Sequence, residues 1–195
     1  MKQDVDVIKR VEQRGDEAQT SSAVLHNMPA ALRSFLVPTF AAIRTRGGAV
    51  TALYWEGPST TALSPVDPDL LAQVREWLAD YFSGHFRPVS FPLVWEGTPF
   101  QQRLGQQLAA IPPGQTLSYG ALAQRLQSSP RAVGRGVGSN PLPLLLPCHR
   151  VVAANGLGGF SAPGGITTKQ WLLSWEQRHG QEGPRKDAVK TAGER

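Results

Sequence analysis

The chain has a single cysteine, Cys148, and it stands in the run Pro147-Cys148-His149-Arg150. Alone, a thiol makes no internal disulfide and no thiolate zinc cage. Two roles remain: inert core filler, as buried cysteine often is, or nucleophile. An imidazole one residue away suits the second role. The thiolate is the reactive form, free cysteine is mostly protonated at neutral pH, and a nearby base can take its proton directly or through water. A carboxylate would complete the set by holding the imidazole and stabilising its charge. Glu176 is the one acid between residues 98 and 180. In the same span stand Arg103, Arg125, Arg131, Arg135, Arg150, Lys169 and Arg178, so these seven cations and one acid give a net +6. A stretch almost without carboxylates suits a polyanion partner. The plainer alternatives are a core histidine, a helix-surface glutamate and a solvated basic face.

Several elements must position these groups. Asp67-Pro68 reads as an N-cap and first turn, and Leu71, Val74, Leu78 and Phe82 follow as an apolar helical stripe that ends near Gly84. Trp77 and Tyr81 beside that stripe read as core. Before it, Phe40–Thr45 and Ala49–Trp55 flank Gly47-Gly48, a hairpin signal. Residues 87–96 read as a proline-broken linker. A second helix is expected from Thr98-Pro99 to Ile111, stopped by Pro112-Pro113-Gly114, and a third over Tyr119–Leu126. Ser129-Pro130 starts a short fourth helix that ends before Asn140-Pro141. Two short helices with a tight connection give a helix-turn-helix layout, common also in ordinary packing. Gly134, Gly136 and Gly138 lie inside that fourth helix, where each costs about 1 kcal/mol against Ala. Their compensation is close backbone approach, to a neighbouring helix or to a DNA groove. A last helix is expected near Thr167, with Thr167 and Gln170 as a capping box, and Gly180 at its end.

The predicted organisation is an irregular leader (1–30), a small α/β unit with linker (31–96), a C-terminal unit (97–180) and a flexible tail (181–195). The fold class is α/β in the α+β sense: a small antiparallel sheet and helix, then a mostly helical part with a helix-turn-helix and a short strand or loop carrying Cys148. No apolar run approaches a membrane span, and Met1–Asp6 has no signal-peptide core. With one cysteine, these features imply a reducing cytoplasmic setting, nucleoid-associated or nuclear.

Residues 98–176 resemble the O6-alkylguanine-DNA alkyltransferase family. The match runs in order through Thr98-Pro99-Phe100-Gln101, Ile111-Pro112-Pro113-Gly114, Ser118-Tyr119, Arg131-Ala132-Val133-Gly134 and Asn140-Pro141. It continues through Pro147-Cys148-His149-Arg150-Val151, Gly159-Phe160-Ser161 and Lys169 to Leu172-Leu173 and Glu176. The resemblance implies a monomeric repair protein without cofactor or metal. It would bind double-stranded DNA bearing O6-alkylguanine, with clustering on DNA left open, and transfer the alkyl group irreversibly to Cys148. The chemistry fits, because a saturated carbon calls for a soft nucleophile and a thiolate is one. A base inside a duplex must also be flipped out to be reached.

Residue by residue, the resemblance makes Arg131 the cation that fills the gap in the stack. It makes Tyr119 the group that presses the backbone at the flipped nucleotide. The second helix of the helix-turn-helix would enter the minor groove, with Ala132 and Gly134 along its DNA face and Arg135 on phosphate. Asn140 would order the turn that supports the nucleophile. Phe160, Ser161, Val137 and Leu157 would line the base pocket, and Lys169 would brace its loop through backbone carbonyls. The chain departs from the family pattern at Gly105, where tryptophan is common, so another large group, such as an extra tryptophan, must fill the space. It departs again at Phe160, where many members have tyrosine, and in an apparent insertion at Ala162-Pro163. Two rival readings are a non-catalytic lesion sensor on the same fold and a cysteine hydrolase unrelated to DNA.

Overall fold

The computed structural model describes residues 42–54 and 67–180. The leader and tail expectations, and those for Phe40, Ala41 and Trp55, lie outside the described residues. The hairpin forms as strands β1 (Ala42–Arg46) and β2 (Ala49–Tyr54), antiparallel around Gly47-Gly48. Both glycines have positive φ, 56° and 74°, which fits a twisted two-residue hairpin turn. The pairing slips between Arg44 and Thr45: Arg44 faces Ala52 but Thr45 faces Val50, so Thr51 is an extra residue in β2.

Helix α1 (Pro68–Phe82) starts where Asp67 and Pro68 predict, with the Asp67 carboxylate accepting from the N–H groups of Asp69 and Leu70. Its buried side is Leu70, Val74, Trp77, Leu78, Tyr81 and Phe82; Leu71 is half-buried. The linker reading of 87–96 needs correction. Val50 donates to the Pro92 carbonyl and accepts from Val94 N–H, so this segment runs beside β2, with Phe91 and Trp95 buried. Its prolines forbid a full ladder but not two good bonds.

Helix α2 (Pro99–Ala109) begins with a reciprocal Thr98–Gln101 capping box. Gly105 lies in it, and a Cβ there would meet the Trp95 ring at 3.2 Å and Leu146 at 3.3 Å. Trp95 therefore fills the volume that the glycine leaves. Strand β3 (Leu117–Ser118) pairs in parallel with β4 (Val151–Val152). Between them come α3 (Tyr119–Arg125), α4 (Pro130–Gly138) and a single 3-10 turn at Cys148–Arg150. The α3–α4 turn takes Gln127 into the left-handed region (φ 49°), and α3 and α4 pack on each other as a helix-turn-helix requires.

Helix α5 (Gly165–His179) starts earlier than the Thr167 box predicts. Gly164, left-handed at φ 77°, is its N-cap, and no side chain caps it. Thr167 lies inside the first turn, and the neighbouring Thr168 hydroxyl instead donates to the Pro163 carbonyl. The core is continuous from the hairpin and α1 through α2 to α5.

Candidate active site and nucleic-acid interface

The cysteine is positioned by a bracket built on Asn140. Its Nδ2 donates to the Leu146 carbonyl at 2.8 Å, and its Oδ1 accepts from Leu142 N–H at 3.0 Å. Residues 140–146 thus fold into a closed loop, with Leu144 buried at φ 67°. A branched apolar side chain in that region is costly and persists only where its surroundings dictate it. The loop delivers Cys148 to the head of the 3-10 turn, buried. Burial pushes its thiol up; a hydrogen bond with Asn140, nearby backbone N–H groups and the Lys169 charge oppose this. The resting form is a neutral thiol that needs a base.

Behind it lies a buried polar cluster centred on Glu176, which is fully buried, as is His149. His149 Nε2 lies 2.8 Å from Glu176 Oε1. Arg150 donates Nε to Oε2 at 2.9 Å and Nη2 to Oε1 at 2.8 Å, while Nη1 donates to the Ile111 carbonyl. Tyr81 donates its hydroxyl to Oε1 at 2.7 Å, and Gly114 N–H reaches Oε2 at 3.1 Å. Burial works to raise the Glu176 carboxyl. The His149 ring and the Arg150 guanidinium outweigh it and hold the group well below the usual carboxylate range. Burial holds His149 below its ordinary value, with Glu176 pulling the other way. The net state is an ionised glutamate and a neutral imidazole. Nε2 then carries the proton and donates to Glu176, which leaves the lone pair on Nδ1. That atom is buried and has no hydrogen-bond partner among the described residues, so its lone pair is open to a proton.

Beside Cys148 opens a cavity of about 260 Å³ lined by Val137, Asn140, Phe160, Ser161 and Ala162 on one side, and by Arg44, Ala52, Leu53 and Tyr54 of the hairpin on the other. Of the expected lining, Val137, Phe160 and Ser161 are present; Leu157 and Lys169 are not among the lining residues. Ser161 Oγ donates to the Gly138 carbonyl at 3.3 Å, which ties the pocket loop to the end of α4. Lys169 is buried and donates to the carbonyls of Val151 (2.6 Å) and Gly159 (3.3 Å). Its ammonium also sits 5.8 Å from the centre of the half-buried Tyr119 ring.

Helix α4 has two unlike sides. Val133, Gly136 and Val137 are buried, and a Cβ on Gly136 would lie 2.6 Å from Leu104 and 3.2 Å from Phe100. Arg131 and Arg135 are exposed and Ala132 is half-buried, while added Cβ atoms at Gly134 and Gly138 would meet nothing within 4 Å. Residues 131, 134, 135 and 138 share one face at helical spacing. The two readings of the glycine run therefore divide by position: Gly136 packs on α2, and Gly134 and Gly138 keep the outer face thin beside Arg131 and Arg135.

Arg150 and Tyr81 were not read from sequence as site residues. Arg150 had a signal, being the cation next to Cys148-His149 in a segment with one acid. Tyr81 had none, since its stripe reads as core and its ring is indeed in the core.

A buried thiol–imidazole–carboxylate set lies beside a helix-turn-helix whose outer face is basic and thin. The profile described as "6-O-methylguanine DNA methyltransferase, DNA binding domain" matches residues 99–178. The methylated-DNA–protein-cysteine methyltransferase of Salmonella typhimurium is 45% identical over 103 residues, 51% of this chain and 59% of that protein. That of Mycolicibacterium paratuberculosis is 39% identical over 125 residues, 63% of this chain and 74% of the relative. The crystal structure of Mycobacterium tuberculosis OGT in complex with DNA superposes with a TM-score of 0.62 at 35% identity, over 70% of this chain and 86% of that one. The chain belongs to the methylated-DNA–protein-cysteine methyltransferase family. The match to the Salmonella relative spans less than two thirds of that protein's length.

Proposed function

We propose that this protein repairs alkylated DNA by accepting the alkyl group on Cys148 in a single turnover. The observation that carries this reading is the buried Nδ1 of a neutral His149 held by Glu176, without a partner among the described residues and next to the chain's single thiol. The outer face of α4 lies in the minor groove, with Arg135 on phosphate. Arg131 fills the stack that an O6-alkylguanine leaves when it turns out into the cavity beside Cys148. Tyr119, braced by Lys169, presses on the backbone of the flipped nucleotide.

His149 Nδ1 takes the thiol proton, directly or through one water, and Glu176 stabilises the imidazolium that forms. Sγ attacks the alkyl carbon; the S–C bond forms as the C–O6 bond breaks, and the electron pair leaves on the guanine. One proton returns to the guanine through His149 and solvent, so unmodified guanine and a Cys148 thioether are the products. A thioether is a poor leaving group, which limits the protein to one event. Phe160 has no hydroxyl to offer the departing oxygen, so that proton comes from another donor.

The test is stoichiometric transfer. Incubated with duplex DNA carrying one O6-methylguanine, each protein molecule should gain 14 Da by the methyl arithmetic (about one CH₂), located on Cys148 by peptide mass. Cys148→Ser should lose all transfer and keep duplex binding. Tight binding with no mass gain by folded wild-type protein would give the lesion-sensor reading instead. Arg131→Ala should slow transfer from duplex much more than from a free O6-alkylguanine base; equal slowing on both would remove its role in the stack.

A further inference from the structure

We infer that Arg44, in the hairpin far from the helix-turn-helix in sequence, is a DNA-phosphate contact at the mouth of the Cys148 cavity. The inference rests on the alkyl-transfer reading for its ligand, but its test does not need transfer to occur. The hairpin is part of the cavity: Leu53 N–H donates to the Pro141 carbonyl at 2.8 Å, next to the Asn140 bracket, and Arg44, Ala52, Leu53 and Tyr54 line the space.

The two arginines of β1 differ. Arg46 pairs with Glu96 at 3.0 Å. Arg44 is exposed and makes no side-chain ion pair or hydrogen bond with any described residue. The extra residue Thr51 separates them: its hydroxyl donates to the Arg44 carbonyl at 3.3 Å, and such a bulge adds local twist that re-aims neighbouring side chains beside sites. An unpaired guanidinium at the rim of a cavity that receives an extrahelical nucleotide has one ready acceptor, the phosphate flanking that nucleotide. Guanidinium is the side chain best shaped for it. The cavity thus lies between two cationic elements, α4 and β1, and the damaged strand crosses from one to the other.

The experiment measures duplex binding against salt in a Cys148→Ser background, with one O6-methylguanine in the DNA. Each lost phosphate contact lowers the slope of log K against log salt by about 0.9. Arg44→Gln should lower it by about that amount, Arg44→Lys should keep it, and Arg46→Gln should leave it unchanged. In the Cys148 protein, Arg44→Gln should slow transfer from duplex far more than transfer from the free base. An unchanged slope for Arg44→Gln overturns the inference, and so does equal slowing on the free base, which would place Arg44 on the base edge. Failure of the wild-type protein to methylate Cys148 would instead strike the transfer reading and leave the slope comparison standing.

Discussion

The segment from α2 to α5 and the segment from β1 to α1 both build the site, by different routes. In the first, chemistry comes in short runs: Cys148, His149 and Arg150 are consecutive, and Asn140 closes a loop on Leu146, six positions on. In the second it comes as isolated residues with no motif around them. Tyr81 reaches Glu176 across 95 positions, and Arg44 and Tyr54 line the cavity from a hairpin. Groups fixed by local hydrogen bonds can be placed by local sequence. Groups placed by packing of one element on another leave no local trace. The buried cluster is therefore assembled jointly, and the first half of the chain is a component of the site as well as a support for it.

The two regions meet at Glu176, where a substitution has the largest effect. Glu176→Gln leaves the Arg150 guanidinium buried without its counter-charge, and such a loss costs about 3–5 kcal/mol. Urea unfolding should show a loss of that size, along with lost transfer. A stable Glu176→Gln protein would mean that the cluster adds little to folding. A smaller effect belongs to Tyr81→Phe. Removing one hydrogen bond to a charged group costs about 1.5–3 kcal/mol, and because Arg150 and Gly114 still hold the carboxylate, the fold survives. If α1 shares in the chemistry, the pH dependence of transfer should also move. A variant with reduced stability and an unmoved pH profile would confine Tyr81 to support.

Helix α4 offers the same comparison within nine residues. Gly136→Ala crowds Leu104 and Phe100 and should cost about 1–3 kcal/mol. Gly134→Ala meets open space and should add up to about 1 kcal/mol of stability, yet slow transfer from duplex if the outer face meets DNA as proposed, because it thickens that face. The same sign at both positions would show that the two faces do not differ as described.

The smallest effect is on pH. His149 is held below its ordinary value, so between its native and unfolded values the unfolded chain binds the extra proton. Stability is then full above about pH 6.5 and falls as pH drops through that window. Glu176, also depressed, adds a second loss below about pH 4.3. The urea midpoint should fall on acidification from neutral pH; a rise would mean that His149 is charged in the native state.

Much of the frame is legible in the sequence for simple physical reasons. Asp67-Pro68, Thr98-Pro99 and Ser129-Pro130 announce helix starts because a capping oxygen and a fixed φ act within one turn. Helix α5 starts ahead of the Thr167 signal because a left-handed Gly164 opens it without any side-chain cap. The pairing of residues 92–94 with β2 was invisible, since prolines suppress the strand signal but not two individual hydrogen bonds.

Sequence alone singles out a candidate set of thiol, imidazole and carboxylate, because one thiol, one adjacent imidazole and one acid in a basic segment leave few combinations. The tertiary structure decided the rest. It brought Tyr81 and Arg150 to the carboxylate, left His149 Nδ1 without a partner among the described residues, put Trp95 in the space beside Gly105, and set Arg44 at the cavity's edge. Those are relations between elements, fixed by how faces pack, and packing depends on residues that no local window contains.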